Sequence, residues 1–342
     1  AAGAFALADG AESSGFIDYS LSVEDDEVRL LASPGGAVFE LAKIARFGQQ
    51  SWQAGADAWS YRARQIADAE AGGRGRRGSG ETWGQAFGSS LSWGEGGETV
   101  TGFDGEQTRD LAFDADRTGF QAGVDWLRGG SYWGLTSGVS RSEYRFQTSR
   151  TSVDVQAANL GAYAGWSANG LRAEVLAKAD ALELRLTNPT APFLETFDGL
   201  STGVQAQVAW RLGDQRIYVE PQAQLAYVHT RLDDFEALGA AITLDDVDSA
   251  EGRLGVRLGS NSGDLRPYVS AHAVQEWGGG ARGLFSSGGF DLPLSDEDEA
   301  TYGLVTAGAD ASWNGLESFI QGEAAFGDVE GWGARLGVRI RW

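Results

Sequence analysis

Residues 333–342, Gly333 to Trp342, read GARLGVRIRW. Ala334, Leu336, Val338 and Ile340 share one parity; Arg335, Arg339 and Arg341 share the other. In an extended chain these are opposite faces, one apolar and one cationic. Such a strand needs a different medium on each side. A soluble sandwich offers a core and water. A closed membrane barrel offers hydrocarbon outside and a hydrated bore inside. In the barrel, Leu336, Val338 and Ile340 face lipid, the arginines face the bore, and Trp342 joins an interfacial aromatic girdle. The reverse parity costs about 2–4 kcal/mol for each arginine near the midplane.

The same alternation recurs upstream. Twelve candidate strands follow Glu81, at about 82–93, 118–127, 131–142, 153–167, 170–182, 200–212, 216–229, 249–260, 265–276, 302–313, 316–327 and from Trp332 to the end. In the first, Trp83, Phe87, Leu91 and Trp93 share a side. The fifth opposes Leu171, Ala173, Val175 and Ala177 to Arg172, Glu174, Lys178 and Asp180. The polar parity of the others carries Asp125, Glu220, Gln222, Glu251, Arg253, Arg257, Glu276 and Glu323. Short turns (Arg128-Gly129-Gly130, Ala168-Asn169-Gly170, Asn314-Gly315) alternate with long acidic connections at 94–117, 183–199, 232–247 and 277–301. Short turns on one rim and long loops on the other are the habit of outer-membrane barrels. The predicted fold is all-β: a 12-stranded antiparallel transmembrane barrel over 81–342. Its inner face is wide enough to need a filling, because side chains alone fill only about eight strands.

Residues 37–70 supply one. Val38, Leu41, Ala45, Trp52, Trp59 and Ile66 recur at helical spacings among Ala, Gln, Lys and Arg. The helix would run about 50 Å, longer than the ~30 Å hydrocarbon layer, and is too polar to face lipid. Threaded through the bore, it presents Lys43, Arg46, Gln49, Gln53, Arg62 and Arg64 to the wall. Its cations could meet Asp125, Glu174, Asp180, Glu220, Glu251, Glu276 or Glu323, with individual pairings left open. The stretch AGGRGRRGSG (71–80) is a basic linker, so 36–80 form the pore segment. Before it, residues 1–35 carry a strand pair: Ile17, Tyr19, Leu21 and Val23 alternate, Glu24–Asp26 turn, and Val28–Leu31 return to Pro34.

Composition narrows the function. The 27 Lys+Arg against 48 Asp+Glu give a net charge of -21, unsuited to nucleic acid. With no cysteine, disulfides and thiolate chemistry are excluded. The absence of methionine predicts a processed product or a piece of a longer chain.

The terminal pattern polar-x-Gly-x-x-apolar-x-aromatic, set by Arg335, Gly337, Ile340 and Trp342, resembles the β-signal read by the outer-membrane assembly machinery. The order strand pair, long polar helix, twelve strands is similar to the C-terminal translocator of monomeric (type Va) autotransporters. WGQAFGSS (83–90), GFQAGVDW (119–126), YVEPQAQLAY (218–227), EGRLGVRL (251–258) and RPYVSAH (266–272) resemble that family's strand motifs. The resemblance covers about 12–342. It implies a monomer in the Gram-negative outer membrane that secretes and anchors its own N-terminal passenger. It further implies a helix left in the pore, residues 1–35 as the end of the passenger or its autochaperone segment, assembly machinery and lipid as partners, and no cofactor or catalytic residue. Relatives that cut their own helix use an asparagine; none precedes Asn159 here, leaving Asp57 and Asp68 as conceivable sites in an uncut helix.

Three competitors are testable. A barrel hydrolase would use His272 with Ser270, which share a face, yet lacks an identifiable third partner. SDEDEA (295–300) and LDDVD (244–248) are carboxylate-dense but lack the spacing of a calcium loop, and are expected to be solvated or to touch lipopolysaccharide through divalent ions. A plain porin would explain the barrel and not residues 1–80.

Overall fold

In the computed structural model, Gly333 to Arg341 lie in the last strand, Val329–Arg341. The structure describes residues 7, 17–24, 27–72, 80–94, 97–102, 105–189, 193–214, 216–237, 239–295, 299–313 and 316–341. Trp342 and most of the 71–80 linker lie outside the described residues. We number the barrel strands β1 (Gly80–Trp93), β2 (Phe113–Arg128), β3 (Ser131–Phe146), β4 (Ser152–Ala168), β5 (Leu171–Asn188), β6 (Phe193–Trp210), β7 (Tyr218–Leu232), β8 (Val247–Gly259), β9 (Leu265–Gly278), β10 (Ala300–Trp313), β11 (Leu316–Gly327) and β12 (Val329–Arg341). Each pairs antiparallel with the next, and β12 pairs with β1 from Val329↔Trp93 to Arg341↔Glu81, closing the ring. No edge is left unsatisfied in lipid, which is what lets strands cross a bilayer. No helix among the described residues is long and apolar enough to do so.

The outward faces follow the parity read from the sequence. Leu336, Val338 and Ile340 are exposed on β12, and Leu171 and Val175 on β5, while Arg335, Arg339, Arg172, Glu174, Lys178 and Asp180 are buried inside. Strand β1 breaks the rule. Trp83 and Trp93 are buried in the lumen, and its outer face carries only small residues, Thr82, Gly84, Ala86, Gly88, Ser90 and Ser92. The inward rings are held there by polar neighbours: Trp83 Nε1 donates to Tyr163 Oη at 2.9 Å, and the Arg117 guanidinium lies 4.7 Å over the Trp93 ring.

The strands outrun the membrane. β5 has 18 residues, about 60 Å of extended chain, against an apolar band ~25 Å tall crossed at ~45°. Near Asp180 its faces exchange roles. Leu182, Leu184 and Leu186 are buried inside, and Glu183 and Arg185 are exposed outside. β4 does the same through Val153, Val155 and Ala157. Here the surrounding solvent is water, so the apolar face turns inward.

That inward apolar face is capped. Connections expected to be solvated loops form a four-stranded sheet (Phe235–Ala237, Ala240–Leu244, Arg282–Ser287, Phe290–Ser295) and a hairpin (Gly97–Gly102 with Gly105–Asp110). Ile242, Leu244, Phe285, Leu292 and Leu294 join Leu182, Leu184, Leu186 and Val38, Leu41, Ile44 and Phe47 of the helix in one apolar cluster.

The helix occupies the bore as α1 (Gly36–Glu40), a 3-10 turn (Leu41–Lys43) and α2 (Ile44–Ala71). Pro34-Gly35 precede it and Gly72 ends it, both helix breakers. α2 lies closest to the wall of β3–β7. Its near face carries Gly48, Trp52, Trp59 and Ile66, spaced by four and seven residues. Gly48 permits the approach: a Cβ there would sit 2.8 Å from Leu182 Cδ1 and 3.1 Å from Ser201 Oγ. Trp52 Nε1 then reaches the Lys178 carbonyl at 3.0 Å. Before the helix, Ile17–Glu24 and Glu27–Pro34 form the expected strand pair, Leu21 opposite Leu30.

Candidate functional site

The site is the surface between α2 and the barrel wall. Arg62 sits at its centre, fully buried. Its Nε and Nη2 reach the two carboxylate oxygens of Asp125 at 2.8 Å each, and Nη2 also reaches Glu81 Oε2 at 2.5 Å. Two parallel N–H···O⁻ bonds are the strong geometry for guanidinium and carboxylate. Tyr163 Oη donates to Asp125 at 3.0 Å, and Arg341 Nε reaches Glu81 Oε1 at 2.6 Å. The sequence had Arg62 and Asp125 as separate lumen candidates; the fold joins them.

The opposite face of α2 bears Arg46, Gln53, Asp57, Tyr61, Arg64 and Asp68, again at helical repeats. Arg46 Nη2 lies 2.5 Å from Glu276 near the outer mouth. Asp57 is bracketed by Arg253 at 2.9 Å and Arg335 at 3.6 Å, with Gln53 Nε2 donating to it at 3.0 Å. Arg64 does not take a carboxylate partner among its recorded bonds. It donates to Tyr268 Oη at 2.9 Å and stacks over Tyr61 and Tyr268, 4.0 and 4.2 Å from their ring centres. Tyr61 Oη in turn donates to Asp310 at 2.8 Å. At the inner mouth Asp68 pairs with Arg211 and, at 3.0 Å, with Arg257, while Asn261 Nδ2 donates to the Asp68 carbonyl at 2.7 Å.

Other lumen candidates pair along the wall instead. Glu174 faces Arg172 at 2.9 Å, Glu220 faces Arg211 at 2.9 Å, and Lys178 meets Asp180 at 2.7 Å. Glu251 holds Arg253 at 2.6 Å, Glu323 lies 3.6 Å from Arg335, and Gln222 Oε1 accepts from His272 Nε2 at 3.1 Å. Lys43 and Gln49 are buried at the outer end. Sequence reading gave the helix cations a role and missed its anions. Asp57 and Asp68, eleven residues apart and therefore on one helical face, serve as partners for wall arginines. It also missed Glu81 and Glu317, which gather Arg339 and Arg341 at the inner rim.

Of the terminal pattern, Arg335 is inward and Ile340 outward, and Trp342 lies outside the described residues. Gly337 has a packing reason to be glycine. A Cβ would stand 2.5 Å from the Phe319 ring, which stacks on Tyr61 with centroids 3.7 Å apart. The hydrolase candidates Ser270 and His272 line one cavity but bond elsewhere: Ser270 Oγ pairs with Thr306 Oγ1 at 2.5 Å and His272 Nε2 with Gln222 Oε1 at 3.1 Å. The described residues contain no cluster of three or more His, Cys, Asp or Glu able to hold a metal.

Outside the membrane, the buried Glu40 carboxyl accepts from Ser149 Oγ at 2.7 Å. Burial pushes its pKa up to about 7, the Ser149 and Thr151 hydroxyls oppose the rise, and the Asp110 carboxylate adds to it.

Comparison with known proteins agrees with this geometry. None of the curated proteins matches the chain. Among solved structures it is similar to the β domain of the Bordetella autotransporter BrkA (TM-score 0.61, 18% identity, 77% of this chain and 100% of that one). It is likewise similar to the translocator domain of the autotransporter NalP from Neisseria meningitidis (0.60, 16%, 87% and 99%). The transport unit of the autotransporter AIDA-I from Escherichia coli follows (0.58, 13%, 76% and 89%). At these identities the likeness is one of fold. The family model "Autotransporter beta-domain" matches residues 82–323, most of the barrel. With its closed twelve-stranded ring and threaded helix, the chain belongs to the autotransporter β-domain family and is an outer-membrane translocator unit.

Proposed function

We propose that residues 36–71 are the plug and tether of this translocator: the helix seals the bore while holding an N-terminal passenger at the cell surface. On this reading residues 1–35 are the passenger's end, 36–80 the pore segment and 81–342 the translocator. Arg335, Gly337, Ile340 and Trp342 are then the β-signal engaged by the outer-membrane assembly machinery. The acidic surface loops contact lipopolysaccharide through divalent ions, and the chain works as a monomer without chemistry of its own.

The observation that carries the reading is the run of ion pairs along the helix. Arg46–Glu276, Asp57–Arg253, Arg62–Asp125 and Asp68–Arg257 tie both helix faces to the wall from the outer to the inner mouth. Buried pairs contribute little net stability, yet each specifies a register because a mismatched helix leaves charges unpaired. An apolar plug would bind in many rotations; this one fits in one.

The test is conductance. Planar bilayers receive the intact chain and a deletion of 36–71, each shown to migrate as a folded barrel before heating in SDS. The deletion should conduct far more than the intact chain. Equal, high conductance would mean that the helix does not plug the pore and would favour a porin.

A further inference from the structure

The helix does not fill the bore evenly. Pressed against β3–β7, it leaves cavities on the far side, against β8–β12 and, for the outer one, β1 as well, where long side chains span the gap. The outer cavity, about 100 Å³, is lined by Arg46, Gln49, Gln53 and Arg117 among others. The inner, about 90 Å³, is lined by Ser60, Arg64, Gln224, Ser270 and Thr306. Each has room for several water molecules, a water needing ~10–15 Å³ on this scale. Asp57, Arg253, Leu304, Glu323 and Arg335 line both. Those five residues therefore form the partition between the two chambers.

The lining has a chemical bias. Gln49 Nε2 and Arg117 Nε in the outer chamber, Arg335 Nη1 at the partition, and Arg64 Nε and Gln224 Nε2 in the inner chamber are buried without a hydrogen-bond partner. These five are donors, as are Gln50 Nε2 and Trp93 Nε1 of the outer chamber, and they outnumber Gln207 Oε1 and His272 Nδ1, the other unpartnered atoms of the inner one; donors in a confined polar channel favour water oxygens and small anions. The partition is closed by charge. Asp57 draws in Arg253 (2.9 Å) and Arg335 (3.6 Å), and Glu251 and Glu323 hold the same arginines from the wall. Around the inner chamber Arg64, Arg253 and Arg335 face Asp57 and Glu323, so Asp57 supplies half of the balancing negative charge.

We propose that the plugged barrel retains an aqueous seam along β8–β12 able to pass small anions, and that the Asp57–Arg253–Arg335 cluster is the septum that shuts it. The proposal rests on the helix being the plug. It adds that the seal is electrostatic at one level rather than steric along the whole helix. Removing the Asp57 carboxylate takes away the one anion that draws both guanidinium groups toward the helix, so Arg253 and Arg335 fall back on Glu251 and Glu323 at the wall, the chambers join, and the lining is left more cationic. Removing Arg253 opens the same septum with the opposite bias.

The test uses the full chain in planar bilayers under a potassium chloride gradient, with Asp57→Ala, the isosteric Asp57→Asn and Arg253→Gln, each checked for heat-modifiable migration. Both Asp57 variants should conduct more than the intact chain and less than the 36–71 deletion. Their reversal potential should move toward the chloride equilibrium potential. Arg253→Gln should move it toward that of potassium. Unchanged conductance and reversal potential in folded variants, beside an open deletion, would overturn the septum and leave the plug intact; so would a shift of the same sign in all three. A deletion no more conductive than the intact chain would instead overturn the plug.

Discussion

Replacing Arg62 with alanine removes the most deeply buried link between helix and wall. Both carboxylate oxygens of Asp125 are held by Arg62 at 2.8 Å, and the remaining recorded bond to that carboxylate is the hydroxyl of Tyr163 at 3.0 Å. Glu81 keeps Arg341 at 2.6 Å and Arg339 at 3.5 Å. The variant thus strands one carboxylate, not two. Breaking one side of a buried pair costs about 3–5 kcal/mol, and water reaching the vacated site favours the lower figure. The barrel wall keeps all its strand pairing, so the loss falls on helix docking. About 3 kcal/mol is roughly a hundredfold in the docking equilibrium. Single-channel recording should show this as a matching rise in the fraction of time spent at the conductance of the 36–71 deletion. Arg62→Lys keeps the charge and forfeits the paired geometry, so it should fall between. Adding Asp125→Asn to Arg62→Ala should recover part of the loss, since the stranded charge disappears. Open-state occupancy in Arg62→Ala equal to that of the parent, or a double variant worse than the single, would refute the claim that this pair holds the helix.

Two further outcomes follow from the packing. Gly48→Leu forces a side chain into the 2.8 Å gap to Leu182, where overpacking costs about 1–3 kcal/mol; thermal melting in detergent should show helix release below barrel unfolding, and an unchanged profile would contradict the close approach. Glu40 has a folded pKa of about 7, above its ordinary 4.5. Its contribution to the cap is therefore complete below about pH 4.5 and lost as pH rises through 7, up to on the order of 3 kcal/mol. Amide protection factors over 36–43, with the intrinsic exchange rate divided out, should fall between those values in the parent and stay constant in Glu40→Gln; constant factors in the parent would dismiss the effect.

The barrel was legible because lipid imposes one rule on every strand it touches. β12 and β5 obey it residue by residue, and the ring could be counted from them. β1 escaped, because its outer face of Thr, Gly, Ala and Ser is apolar enough by smallness while its large rings serve the lumen. The cap escaped for a different reason. Its strands are short and flanked by acidic residues such as Asp233, Asp234, Asp245 and Asp246, so the alternation in AAITL and GLF was outweighed by its charged surroundings, and only long-range pairing such as Ile242↔Phe285 makes it a sheet. Within the bore, the sequence could supply which residues point inward but not who meets whom. Arg62 finds Asp125 because helix rotation sets it so, and that rotation is decided by Gly48 and Trp52 against a wall distant in the chain. Asp57 and Asp68 read from the sequence as no more than conceivable cleavage positions, since an acidic residue on an isolated helix offers no hint of the arginines across the gap.

The exchange of faces along β4 and β5 gives this body a waterline. Below Asp180 the strand is built to be wetted by hydrocarbon, and beyond Leu182 by water, so the draught at which the barrel floats is written into each strand to within about a residue. The rigid wall above that line is a gunwale rather than a fringe of loops. Whatever is joined to the chain ahead of Gly36 starts from its rim, at a height set by strand length and not by the slack of a linker.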